Sequence, residues 1–248
     1  MGHGGLGLIY LERALQEPGC PICRCCAQHE ERYLQWLVWE NVNDAGTRAR
    51  LGQSLGLCGA HARQMLQIER SMLGMSLGNS IIYDSLIQLA LGRIRRARAD
   101  LPAQPGRRTL WQGLRRVLVG LWPAGRRNPA DWLRPHKGCR VCELCEEKAR
   151  HYARVLVDLV ADDSGQALYA PSDGVCLPHL RVVLELGSHD PGVTYLLDAA
   201  AERLCQLQAD LESLGWKHGI RGQQEPLLDS EADSVDRAIA FLCGSNAR

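Results

Sequence analysis

One pattern constrains this chain more than any other: a CxxC pair followed by a CxxH pair occurs twice, in nearly constant register. Displacing the sequence by 119 positions lays Cys20, Cys23 and Cys26 on Cys139, Cys142 and Cys145, and Tyr33, Leu37, Val38, Asp44 and Gly46 on Tyr152, Leu156, Val157, Asp163 and Gly165. One residue is then lost. At a displacement of 118, Gly56, Cys58, His61, Arg63 and Leu66 fall on Gly174, Cys176, His179, Arg181 and Leu184. A weaker echo after a further indel sets Gly78 and Asp84 against Gly192 and Asp198 at equal separation. Chance would not hold that register, so the repeated unit is longer than the knuckles themselves.

A CxxC turn lets two thiolates face one ion, and a CxxH turn does the same for a thiolate and an imidazole. Taken copy by copy, the first set is Cys20, Cys23, Cys58 and His61, with 34 residues between its knuckles, and the second is Cys139, Cys142, Cys176 and His179, with 33. Each is a Cys3His set. Four soft or borderline donors in a closed set suit tetrahedral zinc and leave no open position for a catalytic water, so two structural zinc ions are the expected cofactors. Each knuckle falls at the expected start of a helix, where the dipole favours thiolate over thiol. Each set is thus expected to staple two helices.

Three other readings bear on the cysteines. Buried cysteines pack as small apolar residues without any metal, but the duplicated spacing favours ligation. Cys26 and Cys145 extend each CxxC to CxxCxxC, which makes them candidate additional ligands and opens an iron–sulfur or thiol-redox alternative. Both lie on the helical stripe of Tyr33 and Tyr152, so core packing is the preferred reading. Cys25, Cys205 and Cys243 have no counterpart in the other copy and are read as packing residues. His29, Glu30 and Glu31 are read as a solvated helix face, and Asp162 with Asp163 as part of a turn. No nucleophile–base pairing or phosphate loop is present, which favours a non-enzymatic role.

The fold class is all-α. Aromatic residues are scarce at 5%, with a single Phe, while Ala, Leu, Arg and Glu fill the regular segments, a balance that favours helix over strand. In the first copy a helix of about five turns follows Cys23 and breaks at Asn43, Asp44 and Gly46. A second pattern runs from Cys58 through Leu66, Leu73, Leu77, Ile82, Leu86 and Leu89, with Gly74 and Gly78 as candidate breaks. In the second copy a helix after Cys142 breaks near Asp163 and Gly165, another spans Cys176 to Gly187, and Pro191 opens a third that Gly215 closes. Ser230 is the expected cap of a last short helix running through Cys243.

The predicted organisation is a first metal-binding repeat over 1–92, a basic Pro/Gly-rich linker over 93–138, a second repeat over 139–218 and a tail over 219–248. The net charge of +1 hides an asymmetry: residues 91–138 hold twelve Lys and Arg against two Asp and Glu, whereas 139–248 hold ten against eighteen. Within the linker, Leu110, Trp111, Leu114, Val117, Leu118, Leu121 and Trp122 share one face of an expected amphipathic helix. Residues 93–137 could therefore meet nucleic acid or an anionic membrane surface, with Trp111, Trp122 and Trp132 as stacking groups, or dock on the acidic second half. A protein partner is the expectation for the module as a whole. No apolar run is long enough for a membrane span and no leader pattern stands at the N-terminus, and Leu6 breaks the acylation motif that Gly2 would begin. The expected location is the cytoplasm, where eleven cysteines serve as ligands or thiols and not as a disulfide framework.

The stretch from Cys20 to Asp44, with its CPIC start and YLQWLVWENVND, together with LGLCGAHARQML, LGNSIIYDSL and GVCLPHL, resembles an uncharacterised bacterial family of paired CPxC and FCxxH half-repeats, a domain of unknown function. The resemblance extends to LGWKHGIR and DSVDRAIAFL and is weakest in the cationic linker. Leu57 stands where the family has an aromatic residue, and Arg140 replaces the proline that Pro21 supplies in the first knuckle. The resemblance implies the ligand positions and brings no activity.

Overall fold

The computed structural model describes residues 5–101, 128–187, 190–218 and 226–244. Among them are eleven α-helices and one 3₁₀ turn, with no strand. In chain order the helices are α1 (Gly5–Leu15), α2 (Pro21–Trp39), α3 (Ala45–Ser54), α4 (Gly59–Leu73), α5 (Leu77–Asp100), α6 (Arg140–Leu159), α7 (Asp163–Tyr169), α8 (Leu177–Glu185), α9 (Pro191–His218), α10 (Asp229–Ala232) and α11 (Ser234–Cys243); the 3₁₀ turn, Pro129–Leu133, precedes α6. No helix among the described residues is long and apolar enough to cross a membrane.

Helix boundaries follow local chemistry. Asp44 accepts from the Thr47 N–H and caps α3, and Asp162 does the same for α7 through the Gly165 N–H. Leu73 ends α4 because Gly74 takes φ +66, the left-handed conformation that closes a helix. The pattern from Cys58 to Leu89 is therefore two helices. The expected stop at Gly215 does not operate, since α9 runs on to His218. Ser230 lies inside α10 and caps nothing; there the Glu231 carboxylate accepts the Leu228 N–H, and α11 begins at Ser234. The amphipathic segment expected over 110–122 lies outside the described residues.

The chain divides into two compact units, Met1–Tyr33 with Val141–Arg248, and Leu34–Arg140. Both divisions fall within or at the edge of a helix, α2 and α6. The first unit buries Leu11, Ile22, Tyr152, Leu156, Tyr169 and Leu196 in one core. Here α6 and α9 approach closely at Gly192, where an added Cβ would stand 2.3 Å from the Val157 carbonyl oxygen. Only glycine allows that contact.

The second unit buries Leu34, Leu37, Val38, Leu51, Met65, Ile82 and Leu86. Its counterpart to Gly192 is Gly78, whose added Cβ would meet the Val38 carbonyl oxygen at 3.3 Å and Val42 Cγ2 at 3.0 Å. The start of α5 is held by Glu69, a carboxylate 1% exposed, which accepts from the Gly78 N–H, the Asn79 N–H and Asn79 Nδ2 at 2.6, 3.0 and 2.5 Å. Three donors compensate its burial. The Arg93 guanidinium joins α5 to the carbonyls of Gly52 and Arg134, so residues 93–100 of the predicted linker are helix packed in this unit.

Candidate metal centres

Each knuckle is a helix start. Cys58 and Cys176 are the N-caps of α4 and α8, and Cys20 and Cys139 stand immediately before α2 and α6. The second donor, Cys23, His61, Cys142 or His179, lies three residues further, in the first turn. Both donors of a knuckle thus project from the positive end of one helix.

In the first unit Cys20, Cys23, Cys176 and His179 come together, every donor atom within 4.8 Å of the others. Cys23 Sγ is 3.6 Å from Cys176 Sγ and 3.3 Å from His179 Nδ1; Cys20 Sγ and Cys176 Sγ lie 3.6 and 3.2 Å from the same nitrogen. The three cysteines are almost wholly enclosed. Backbone contacts hold the two knuckles in place. The Gly19 N–H donates to the Asp173 carboxylate at 2.6 Å, joining the approach to one knuckle with the approach to the other. Tyr169 Oη accepts the Val175 N–H, and Arg203 from α9 donates to the carbonyls of Ala170 and Ser172. Gly244, at φ +86, closes the site from the end of α11: an added Cβ would lie 3.3 Å from Cys23 Sγ and 3.7 Å from Cys176 Sγ.

The electrostatics of this cluster follow from crowding. Hydrogen bonds from Cys176 and Cys20, reinforced by His179, hold the Cys23 thiol far below the ordinary thiol range. Burial, then the neighbouring thiols Cys176 and Cys23, push Cys20 well above it. Burial works against a charged His179, but its bonds to Cys176 and Cys23 outweigh that and raise its pKa. The donor set therefore favours a thiolate beside a positive charge, the demand a bound cation meets.

In the second unit His61 Nδ1 lies 3.0 Å from Cys58 Sγ and 3.5 Å from Cys139 Sγ, with the His61 ring fully buried. Cys142 follows Cys139 by one turn of α6 in the same knuckle. Tyr83 on α5 adds an enclosed hydroxyl with no hydrogen-bond partner among the described residues. Burial first, and then the nearby sulfurs of Cys139 and Cys58, raise its pKa.

The grouping departs from the copy-by-copy expectation. Cys20 and Cys23 meet Cys176 and His179, not Cys58 and His61, while Cys139 meets Cys58 and His61, not Cys176 and His179. The cause is helix length. The 19 residues of α2 advance the chain about 28 Å from its knuckle, and the ten of α3 span only about 15 Å. The CxxH of the first copy therefore folds with the far end of α2, in the other unit.

Two polar residues read as solvated are not. Glu30 is 8% exposed and accepts from Cys145 Sγ at 3.4 Å, and His29 Nε2 is 2.8 Å from Tyr152 Oη, while Glu31 is exposed as expected. Cys26 is buried and donates to the Cys145 carbonyl at 3.6 Å. Cys145 is partly exposed. Cys25 is buried in the core, whereas Cys205 and Cys243 are exposed, contrary to the packing expected of them. No disulfide joins any of the eleven cysteines. Gly244, Glu69 and Tyr83 carry no sequence signal for their roles, because a lone glycine, glutamate or tyrosine has none.

The fold and these clusters define an all-α protein with cysteine and histidine sets able to hold metal ions. The family described as "Family of unknown function (DUF6062)" matches residues 9–248, and the chain belongs to it. No curated protein and no solved structure matches the chain.

Proposed function

We propose that this protein is a cytoplasmic zinc-binding scaffold for a protein partner, with two closed Cys3His sites that pin its helices. The first is Cys20, Cys23, Cys176 and His179, and the second is built on Cys58, His61 and Cys139. The observation that carries the reading is the size of the first cluster. Zinc bonds of about 2.3 Å to sulfur and about 2.05 Å to nitrogen give tetrahedral edges of about 3.8 Å between sulfurs and about 3.6 Å between sulfur and nitrogen. The separations in the cluster, 3.6 Å for the sulfur pair and 3.2 to 3.6 Å for sulfur to Nδ1, fit one ion at the centre. Ligands of an iron–sulfur cluster bind different irons and need a wider cage, so these donors favour a single ion.

The near-repeat of spacing supports two equivalent sites, and four protein donors per ion favour a structural role. Unbridged cysteines suit a reducing compartment. Binding of this type contributes roughly 10–16 kcal/mol per ion in small zinc modules, comparable with the stability of a whole domain.

Elemental analysis with an absorption spectrum of the purified protein tests the reading. Two zinc ions per chain, a colourless solution, and loss of helical signal on chelation are expected. Visible charge-transfer bands after anaerobic purification, or fewer than one zinc with folding indifferent to chelator, would overturn it.

A further inference from the structure

Five cysteines lie outside the four knuckles, and three of them, Cys26, Cys145 and Cys243, line one open groove of the first unit. Cys23, Cys176 and His179 of the first cluster line it as well. Its volume is about 470 Å³, room for a hydrated ion or a small metal complex. The thiols are graded in depth: Cys243 is exposed at the end of α11, Cys145 is partly exposed, and Cys26 is 6% exposed. The innermost borders the site, since Cys26 follows Cys23 by one turn of α2 and lines the groove together with His179. Cys26 and Cys145 are in contact through the Cys145 carbonyl, and a buried carboxylate, Glu30, accepts from Cys145 Sγ.

Packing alone would not gather soft donors along an open groove that ends on a metal-ligand set. A closed four-donor site exchanges its metal slowly unless an extra ligand can enter as another leaves. We infer that this groove is the passage by which a zinc ion, or another thiophilic ion of the same charge, reaches and leaves the first-unit site, with Cys145 and Cys26 as successive transit ligands. The inference rests on the metal-binding reading above. Each step is a ligand substitution: a metal–sulfur bond forms as a metal–water or earlier metal–sulfur bond breaks, with no change of oxidation state. The entering thiol gives its proton to water as the metal–sulfur bond forms.

The test is the rate at which zinc passes from the full-length protein to a chromophoric chelator, alongside zinc content and circular dichroism. Wild type should release its two ions at different rates. Cys26→Ser and Cys145→Ser should each slow the faster phase by about tenfold, the scale of effects seen when residues bordering a metal's ligands are changed, with zinc content still two and helicity unchanged. Cys205→Ser, an exposed thiol that does not line the groove, should leave both phases alone. An unchanged or faster release in both groove variants overturns the inference, and so does a fall to one zinc in Cys26→Ser, which makes Cys26 a resident ligand. Absence of zinc from the wild type would instead remove the metal-binding reading itself.

Discussion

Cys23 Sγ lies 3.6 Å from Cys176 Sγ although 153 positions separate them in the chain. Contacts of that sequence separation carry a large loop-closure cost, and a shared ion would offset it. Removing zinc should therefore do more than loosen two side chains. Chelation at neutral pH should lower the unfolding temperature and reduce helical ellipticity, and restoring zinc should reverse both. Circular dichroism with and without chelator checks this.

Gly192 should be the less forgiving of the two helix-contact glycines. An alanine methyl there would sit 2.3 Å from a backbone oxygen, whereas at Gly78 its nearest neighbours are side-chain atoms at 3.0 Å. Backbone cannot swing aside as a side chain can. Gly192→Ala should cost about 3 kcal/mol, the upper end of overpacking penalties, and Gly78→Ala about 1 kcal/mol. Denaturant unfolding of the zinc-loaded variants measures the difference.

Gly244 holds φ +86 and ψ 153, a backbone conformation open almost solely to glycine. Gly244→Ala should pull the end of α11 away from Cys23 and Cys176 and weaken one zinc site while sparing the other. Zinc retention against a graded series of chelators should show one ion lost earlier than in wild type and one unchanged.

Glu231 links α10 to α9 through Lys217 Nζ at 2.7 Å and Ser213 Oγ at 2.6 Å. The Lys217 and Ser213 bonds, with the Leu228 N–H, hold its carboxyl down at about 2. A carboxylate whose folded pKa is depressed adds stability that is present above its ordinary range and lost as pH falls from about 4.5 toward 2. Glu231→Gln should thus unfold at lower temperature than wild type at pH 7, and the gap should close as the pH approaches 2. Thermal melts across that range test the sign.

The sequence carried the donors but not their partners. Cys20, Cys23, Cys58, His61, Cys139, Cys142, Cys176 and His179 could be picked out as candidate donors because a knuckle's two side chains are fixed by local geometry, three residues apart at a helix start. Which knuckle meets which depends on how far α2 and α3 carry the chain, and periodicity alone does not measure that. The all-α class was legible for the same local reason. Glu30 was misread because a carboxylate on a polar helix face is normally solvated, and its burial becomes reasonable only once Cys145 lies beside it. Glu69 shows the same limit, since its donors come from the next helix.

The exchange of ligands between the two sequence copies is the claim on which the rest stands, and zinc counting in paired variants tests it most directly. Cys23→Ser with Cys176→Ser should disable one site and leave one zinc per chain, whereas Cys23→Ser with Cys58→Ser should disable both and leave none. One zinc retained in the second pair, with none in the first, would mean that each copy closes on itself and would contradict the account.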